Sequence, residues 1–162
     1  MSHEHIAIWG VDWLWSLPLI ALTVVIHVFG LTFIKGRNDR LMRHIRGRHV
    51  SLPIARLSIG GAALFITALH GVEGFLWAAA FQFLGALPDR RTAMLYSLNA
   101  MTSYGHVSLE LASRWQLMGS LESLNGWILF GMSTAFLFSL VQDIWSQTPD
   151  RIVGNLKLGS AR

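Results

Sequence analysis

This chain of 162 residues predicts an all-α membrane protein: three transmembrane helices, with a short re-entrant pore helix and loop between the second and third. Three observations lead there. The composition is 52% hydrophobic and 14% charged, where soluble domains run at about 25% charged. Three apolar runs, 13–34, 57–84 and 116–144, are each long enough as helix to cross about 30 Å of hydrocarbon. Between the last two lies TAMLYSLNAMTSYGHV, residues 92–107, which is too short to cross and too polar to face lipid.

Residues 1–12 lack the positive n-region and small-residue cleavage site of a signal peptide, so the first apolar run is expected to be retained. His3 and His5 form an HxH pair, read as part of a solvated terminus. In the run from Trp13 to Ile34, Trp13 and Trp15 mark the outer interface, while Lys35, Arg37 and Arg40 close the inner one. Pro18 fits a first turn or a mild kink.

Seven of the thirteen Lys and Arg fall between Lys35 and Arg56. That bias marks a cytoplasmic loop and places the N-terminus outside. The loop is either an interfacial helix touching anionic lipid or a solvated connector. So concentrated a charge excess argues for membrane topology and against nucleic acid. The absence of Cys excludes disulfides, thiolate metal sites and Cys nucleophiles.

The second span, from Leu57 to about Leu84, carries Gly60-Gly61 and Gly71-x-x-Gly74, which permit close helix approach. It also carries His70 and Glu73 at i,i+3, while His27 lies in the first span. Ionisable groups within spans default to function. Together the three present a metal site, or two axial haem ligands in His27 and His70; packed histidines bonded to neighbouring helices are the plainer reading. Counted from the basic loop, His27 lies about seven residues (roughly 10 Å) along its helix and His70 about thirteen (roughly 20 Å). Two axial ligands should approach an iron from nearly one level, so these depths argue against the haem.

After a turn at Leu87-Pro88-Asp89-Arg90-Arg91, Thr92 is expected to cap a helix of about three turns, and Thr102 to His106 is expected to be irregular. Irregular backbone at membrane depth must be enclosed by protein or line water. One copy supplies one such segment and cannot enclose it. Glu110 and Arg114 follow near the outer surface, and the third span opens with a polar, small-residue stripe containing Gly119, Glu122, Ser123 and Gly126. Such a stripe lines water or packs under the short helix. The chain then divides into an N-terminal helix and basic loop (1–56), a central unit (57–145) and a cytoplasmic tail (146–162). No paired carboxylates, activated nucleophile or phosphate-cradling glycine loop points to an enzyme.

The order of outer helix, turn, short helix, YG-containing loop and glycine-bearing helix resembles the bacterial two-transmembrane-pore ion channel family of the potassium-channel superfamily, over roughly 57–140. Tyr96-Ser97-Leu98 looks like that family's pore helix. Met101-Thr102-Ser103-Tyr104-Gly105-His106 looks like its Thr-Val-Gly-Tyr-Gly-Asp filter. Arg114-Trp115, Leu117-Met118-Gly119, Gly126 and Phe130-Gly131 look like the start and hinge of its inner helix.

The resemblance implies a homotetrameric cation channel in a bacterial plasma membrane, with no cofactor and a permeant monovalent cation, K or Na. Thr102, Ser103, Tyr104 and Gly105 would be the ion ligands, and His106 would ring the outer mouth, where four histidines could make conductance pH-dependent. Glu122 is expected to brace the loop through its amides or Tyr104, Asn125 to support it, and Gly126 and Gly131 to act as hinges. Ser103 in place of the first filter glycine, His106 in place of the aspartate, and a loop about two residues shorter separate this filter from potassium selectivity. A non-conducting scaffold or sensor of the same fold is the alternative, alongside the His-based metal or haem site.

Overall fold

The computed structural model describes residues 2–45, 52–105 and 109–146. Among them are four α-helices and one 3-10 turn: α1 (Ser2–Ile45), α2 (Leu52–Phe83), α3 (Arg90–Thr102), a 3-10 turn at Ser113–Trp115, and α4 (Gln116–Ser146). Three segments are long and apolar enough to cross a membrane: Gly10–Leu41, Arg56–Phe83 and Ser113–Asp143. Among the described residues all regular structure is helical, and three such segments mark a membrane protein.

The first two helices are longer than their apolar runs. α1 continues through the basic stretch to Ile45, and α2 begins at Leu52. The expected 22-residue loop is thus mostly helix. Leu41, Met42 and Ile45 propagate helix between the charged residues, and arginine and lysine are themselves good helix formers. Pro18 sits inside α1, which runs through it.

α1 and α2 pair antiparallel, with Trp15 against Phe83, Gly30 against Leu69 and Phe33 against Phe65. α1 and α4 run parallel, joined by Asn125 Nδ2–H donating to Thr23 Oγ1 (2.8 Å) and by Lys35 lying 3.6 Å from Asp143. Large apolar side chains such as Leu14, Phe29, Leu64 and Phe75 face outward. Asp12, Ser16, Thr23 and His27 form a buried polar stripe on α1. This inside-out pattern suits a lipid surround, where apolar groups gain nothing by leaving the surface.

The third segment, α3, is only 13 residues long. Its N-cap is Asp89, not Thr92: the Asp89 carboxylate accepts from the amides of Arg91 and Thr92 (both 3.0 Å) and from the Thr92 hydroxyl (2.6 Å). Thr92 cooperates from within the first turn. Just upstream, α2 closes around Gly85 (φ 64), with Ala86 N–H donating to Phe81 O and Gly85 N–H to Gln82 O. That is the left-handed cap for which glycine is suited.

α3 packs between α2 and α4 at the end of the bundle where Trp77, Phe81, Tyr96, Leu111, Trp115 and Met118 form the main core. Phe81 and Tyr96 meet edge-on at 5.3 Å. Tyr96 lies level with Gly119, and the end of α3 lies level with Gly126. α3 therefore runs alongside the first ten residues of α4, roughly 15 Å. The chain then returns, so that Leu111 packs against Gly119 before α4 begins.

Candidate functional site

Two features carry chemistry: the end of α3 with its loop, and a buried cluster where α1, α2 and α4 meet. In the loop, Thr102 is the last helical residue, and its hydroxyl donates to Leu98 O (2.7 Å). Ser103 is left-handed (φ 55, ψ 24). Ser103 N–H donates to Ala100 O and Tyr104 N–H to Asn99 O, repeating at α3 the pair of bonds that closes α2 around Gly85. Ser103 thus takes a glycine's place at a helix end, a conformation that costs an L-residue about 1–2 kcal/mol. Its hydroxyl accepts from Trp127 Nε1–H at 2.8 Å. Gly105 also has positive φ (93), Thr102 to Gly105 are exposed, and His106 lies outside the described residues.

Two glycines seat this segment. A Cβ at Gly126 would stand 2.6 Å from Met101 Cα, inside its van der Waals surface. Gly74 on α2 faces Leu98 and Met101. Gly126, expected as a hinge, is the point where α4 lets the α3 backbone approach; Gly131 faces open space, and α4 runs unbroken through both.

Glu122 is fully buried on the flank of α3, against the Ser97 hydroxyl. It does not reach Tyr104, whose side chain is 80% exposed. Asn125 turns away from the loop towards Thr23 on α1. Trp127 holds the loop through Ser103, a tryptophan-to-serine pairing that the sequence did not signal. Arg114, beside the loop's return, donates to Leu84 O (3.4 Å) and lies over the Trp115 ring.

The second feature corrects the expected difference in depth. His27 lies 18 residues before the end of α1 at Ile45, and His70 lies 18 residues after the start of α2 at Leu52. In an antiparallel pair these positions share one level. Their rings are 5.1 Å apart. Counts taken from Ile34 and Leu57 set the two apart only because both helices continue beyond those residues, to Ile45 and from Leu52.

Four side chains form a closed ring here. His27 Nδ1 is 2.8 Å from Glu73 Oε1, and His27 Nε2 is 3.0 Å from Ser133 Oγ. His70 Nε2 is 3.1 Å from the same Ser133 Oγ, and His70 Nδ1 is 3.2 Å from Glu73 Oε2. That last contact is off the line of a hydrogen bond, which leaves Oε2 without one. His27 and Glu73 are fully buried. His70 is partly exposed and borders a cleft of about 650 Å³ between α2, α3 and α4, whose other walls include Thr67, Thr102, Ser103 and Trp127. Ser133 had no sequence signal beyond being one more small polar residue on α4.

No protein-family model matches this chain, and neither a curated protein nor a solved structure matches it.

Proposed function

We propose that this chain is one subunit of a tetrameric, potassium-channel-like cation channel in a bacterial plasma membrane, with its N-terminus outside and its C-terminus in the cytoplasm. One observation carries the reading. A helix too short to span ends against the middle of a spanning helix, at Gly126, and its last residues expose backbone rather than a lipid-compatible surface. With α4 crossing the bilayer, Thr102 to Gly105 lie at membrane depth. Backbone at that depth needs a protein or aqueous surround. The single chain leaves it bare, so further copies supply the shelter, and the central space they enclose is the pore.

The remaining features fit this arrangement. The negative end of the α3 dipole, about half a charge, points to where a cation would pass. Outward-facing Trp127, Phe130 and Leu124 on α4 offer apolar surface for neighbouring subunits. Ser103 in the left-handed conformation places backbone where the family's filter uses glycine. A filter of this composition favours monovalent cations with weak discrimination between K and Na.

The test is cation flux into liposomes holding the purified full-length chain, with K, Na and a large impermeant cation compared, and subunit number measured by cross-linking in the same membranes. Flux of K or Na through a tetramer is the expected result. An intact tetramer passing no ion would replace the channel with a non-conducting scaffold of the same shape. A monomer in the bilayer would remove both.

A further inference from the structure

We infer that His27, His70 and Glu73 form a three-ligand site for a divalent transition cation of the zinc type, buried where α1, α2 and α4 meet. Ligand atoms of these three residues lie within 4.8 Å of one another. Two imidazoles and a carboxylate are a donor set that such cations take, with a fourth position left to water or a small anion. The site is independent of the channel reading, which it neither needs nor supports.

The hydrogen bonding around the ring carries the inference beyond proximity. Both Nε2 atoms converge on one hydroxyl, Ser133 Oγ, at 3.0 and 3.1 Å. Both Nδ1 atoms converge on one carboxylate, at 2.8 and 3.2 Å. A hydroxyl oxygen has two lone pairs and accepts both Nε2–H bonds at once. In that arrangement each Nδ1 is a bare lone pair directed at the Glu73 side and free to ligate. A metal-bound histidine usually donates its other ring N–H to an oxygen in this way, which orients the ring and raises its basicity.

Without an ion, the same tautomers set two nitrogen lone pairs against two carboxylate oxygens. A change of tautomer at His27 relieves one of these, its Nδ1–H donating to Glu73 Oε1 and the Ser133 hydroxyl donating to its Nε2, but His70 Nδ1 still faces Glu73 Oε2 without a hydrogen bond. A cation among the three groups accounts for that contact: the two atoms coordinate a common ion instead of bonding each other. Entry is available, since His70 is the one ligand at the edge of the 650 Å³ cleft. The cleft also gives room for a fourth, anionic ligand that would offset the net positive charge of a dication with one carboxylate.

The experiment uses Co²⁺ as a spectroscopic stand-in for zinc. Metal-stripped full-length protein in detergent is loaded with Co²⁺, desalted, and examined for visible ligand-field bands and for metal content. Wild type is expected to retain one ion per chain with the bands of a low-coordinate nitrogen–oxygen site. Glu73→Gln and His70→Ala are expected to lose both. Ser133→Ala should keep the bands while binding about 10–100-fold more weakly. The N-terminal HxH pair is the competing binder, so the double variant His3→Ala/His5→Ala must bind as wild type does. Wild type retaining no ion overturns the assignment, as does retention that survives His70→Ala but is lost in the His3→Ala/His5→Ala variant. The wild-type and N-terminal results decide the matter even if Glu73→Gln fails to fold. Flux is not read, so the fate of the channel proposal does not enter.

Discussion

The seat of α3 on Gly126 gives the sharpest quantitative test. Replacing Gly126 with alanine sets a methyl group 2.6 Å from Met101 Cα and 2.9 Å from its carbonyl carbon. Carbon atoms sit comfortably at about 3.5–4.0 Å, so the end of α3 must retreat by about 1 Å. No rotamer relieves this, because the opposing atoms are backbone in a helix end pinned by the Ser103 and Tyr104 amide bonds. Overpacking of this kind costs about 1–3 kcal/mol.

Alanine also gains about 1 kcal/mol over glycine within any helix, which masks part of the loss. Gly60→Ala on α2 supplies the control, since nothing lies within 4 Å of its added methyl. Subtracting one variant from the other cancels the propensity and leaves the packing term. At about 2–4 °C per kcal/mol for a chain of this size, Gly126→Ala should melt roughly 2–12 °C below Gly60→Ala in detergent. If the two melt together, or Gly126→Ala melts higher, α3 does not rest on α4 at this point, and the depth assigned to the loop falls with it.

Ser103→Gly sheds the left-handed penalty of about 1–2 kcal/mol but loses the Trp127 bond, worth about 0.5–1.5 kcal/mol. It should stay within about 1 kcal/mol of wild type, while Ser103→Ala, which keeps the penalty and loses the bond, should fall about 0.5–1.5 kcal/mol below wild type; equal melting of the two would remove the strain from the account. Thr23→Val strands the buried Asn125 amide and should cost about 0.6–1.7 kcal/mol, with part of that loss recovered on adding Asn125→Leu; additive losses would mean that the pair does not interact. Asp89 is held below the usual carboxylate range, first by the Thr92 hydroxyl, then by the Thr92 and Arg91 amides and the Arg91 charge. A depressed folded pKa gives stability that is present above the unfolded value, about 3.9, and lost as pH falls through the folded one. The melting difference between wild type and Asp89→Asn should therefore be constant from pH 7 to 5 and shrink below about pH 4; a difference that holds to pH 2 would mean that the cap does not titrate.

The three spans and the short helix between them were legible because composition and length decide them: an apolar run long enough to cross reads the same in any packing. What failed was read from charge. Lys35 to Arg56 looked like a loop because charged residues mark the ends of hydrocarbon, but they do not mark the ends of helix, and α1 crosses that boundary, through Gly36, to Ile45. That error put His27 and His70 at different depths and hid the ring, although the His70–Glu73 spacing was in plain view. Asp89 and Thr92 are both capping residue types, and only geometry tells which one receives the amides. Ser103 closes a helix in the glycine manner without being glycine. Its one sign in the sequence was its position in the filter-like run.

The two candidate features meet on α4. Gly126 and Ser133 are two turns apart and share its buried face, the first touching the backbone of α3 and the second the ring. Within lipid, apolar side chains pack without choosing a register, since a slipped helix exposes leucine to hydrocarbon at little cost. Polar contacts do the choosing here: Asn125 with Thr23, Ser133 with His27 and His70, and Asp143 with Lys35 fix the height of α4 against α1 and α2. Exposed hydroxyls do not disturb this logic, because Thr32, Thr67 and Thr134 each bond the carbonyl one turn back and so satisfy themselves. At the end of α3 the Tyr104 amide likewise turns back, onto Asn99 O, and the exposed Gly105 follows it. On the channel reading it is this exposed end of α3, and not the satisfied hydroxyls, that needs a protein or aqueous surround.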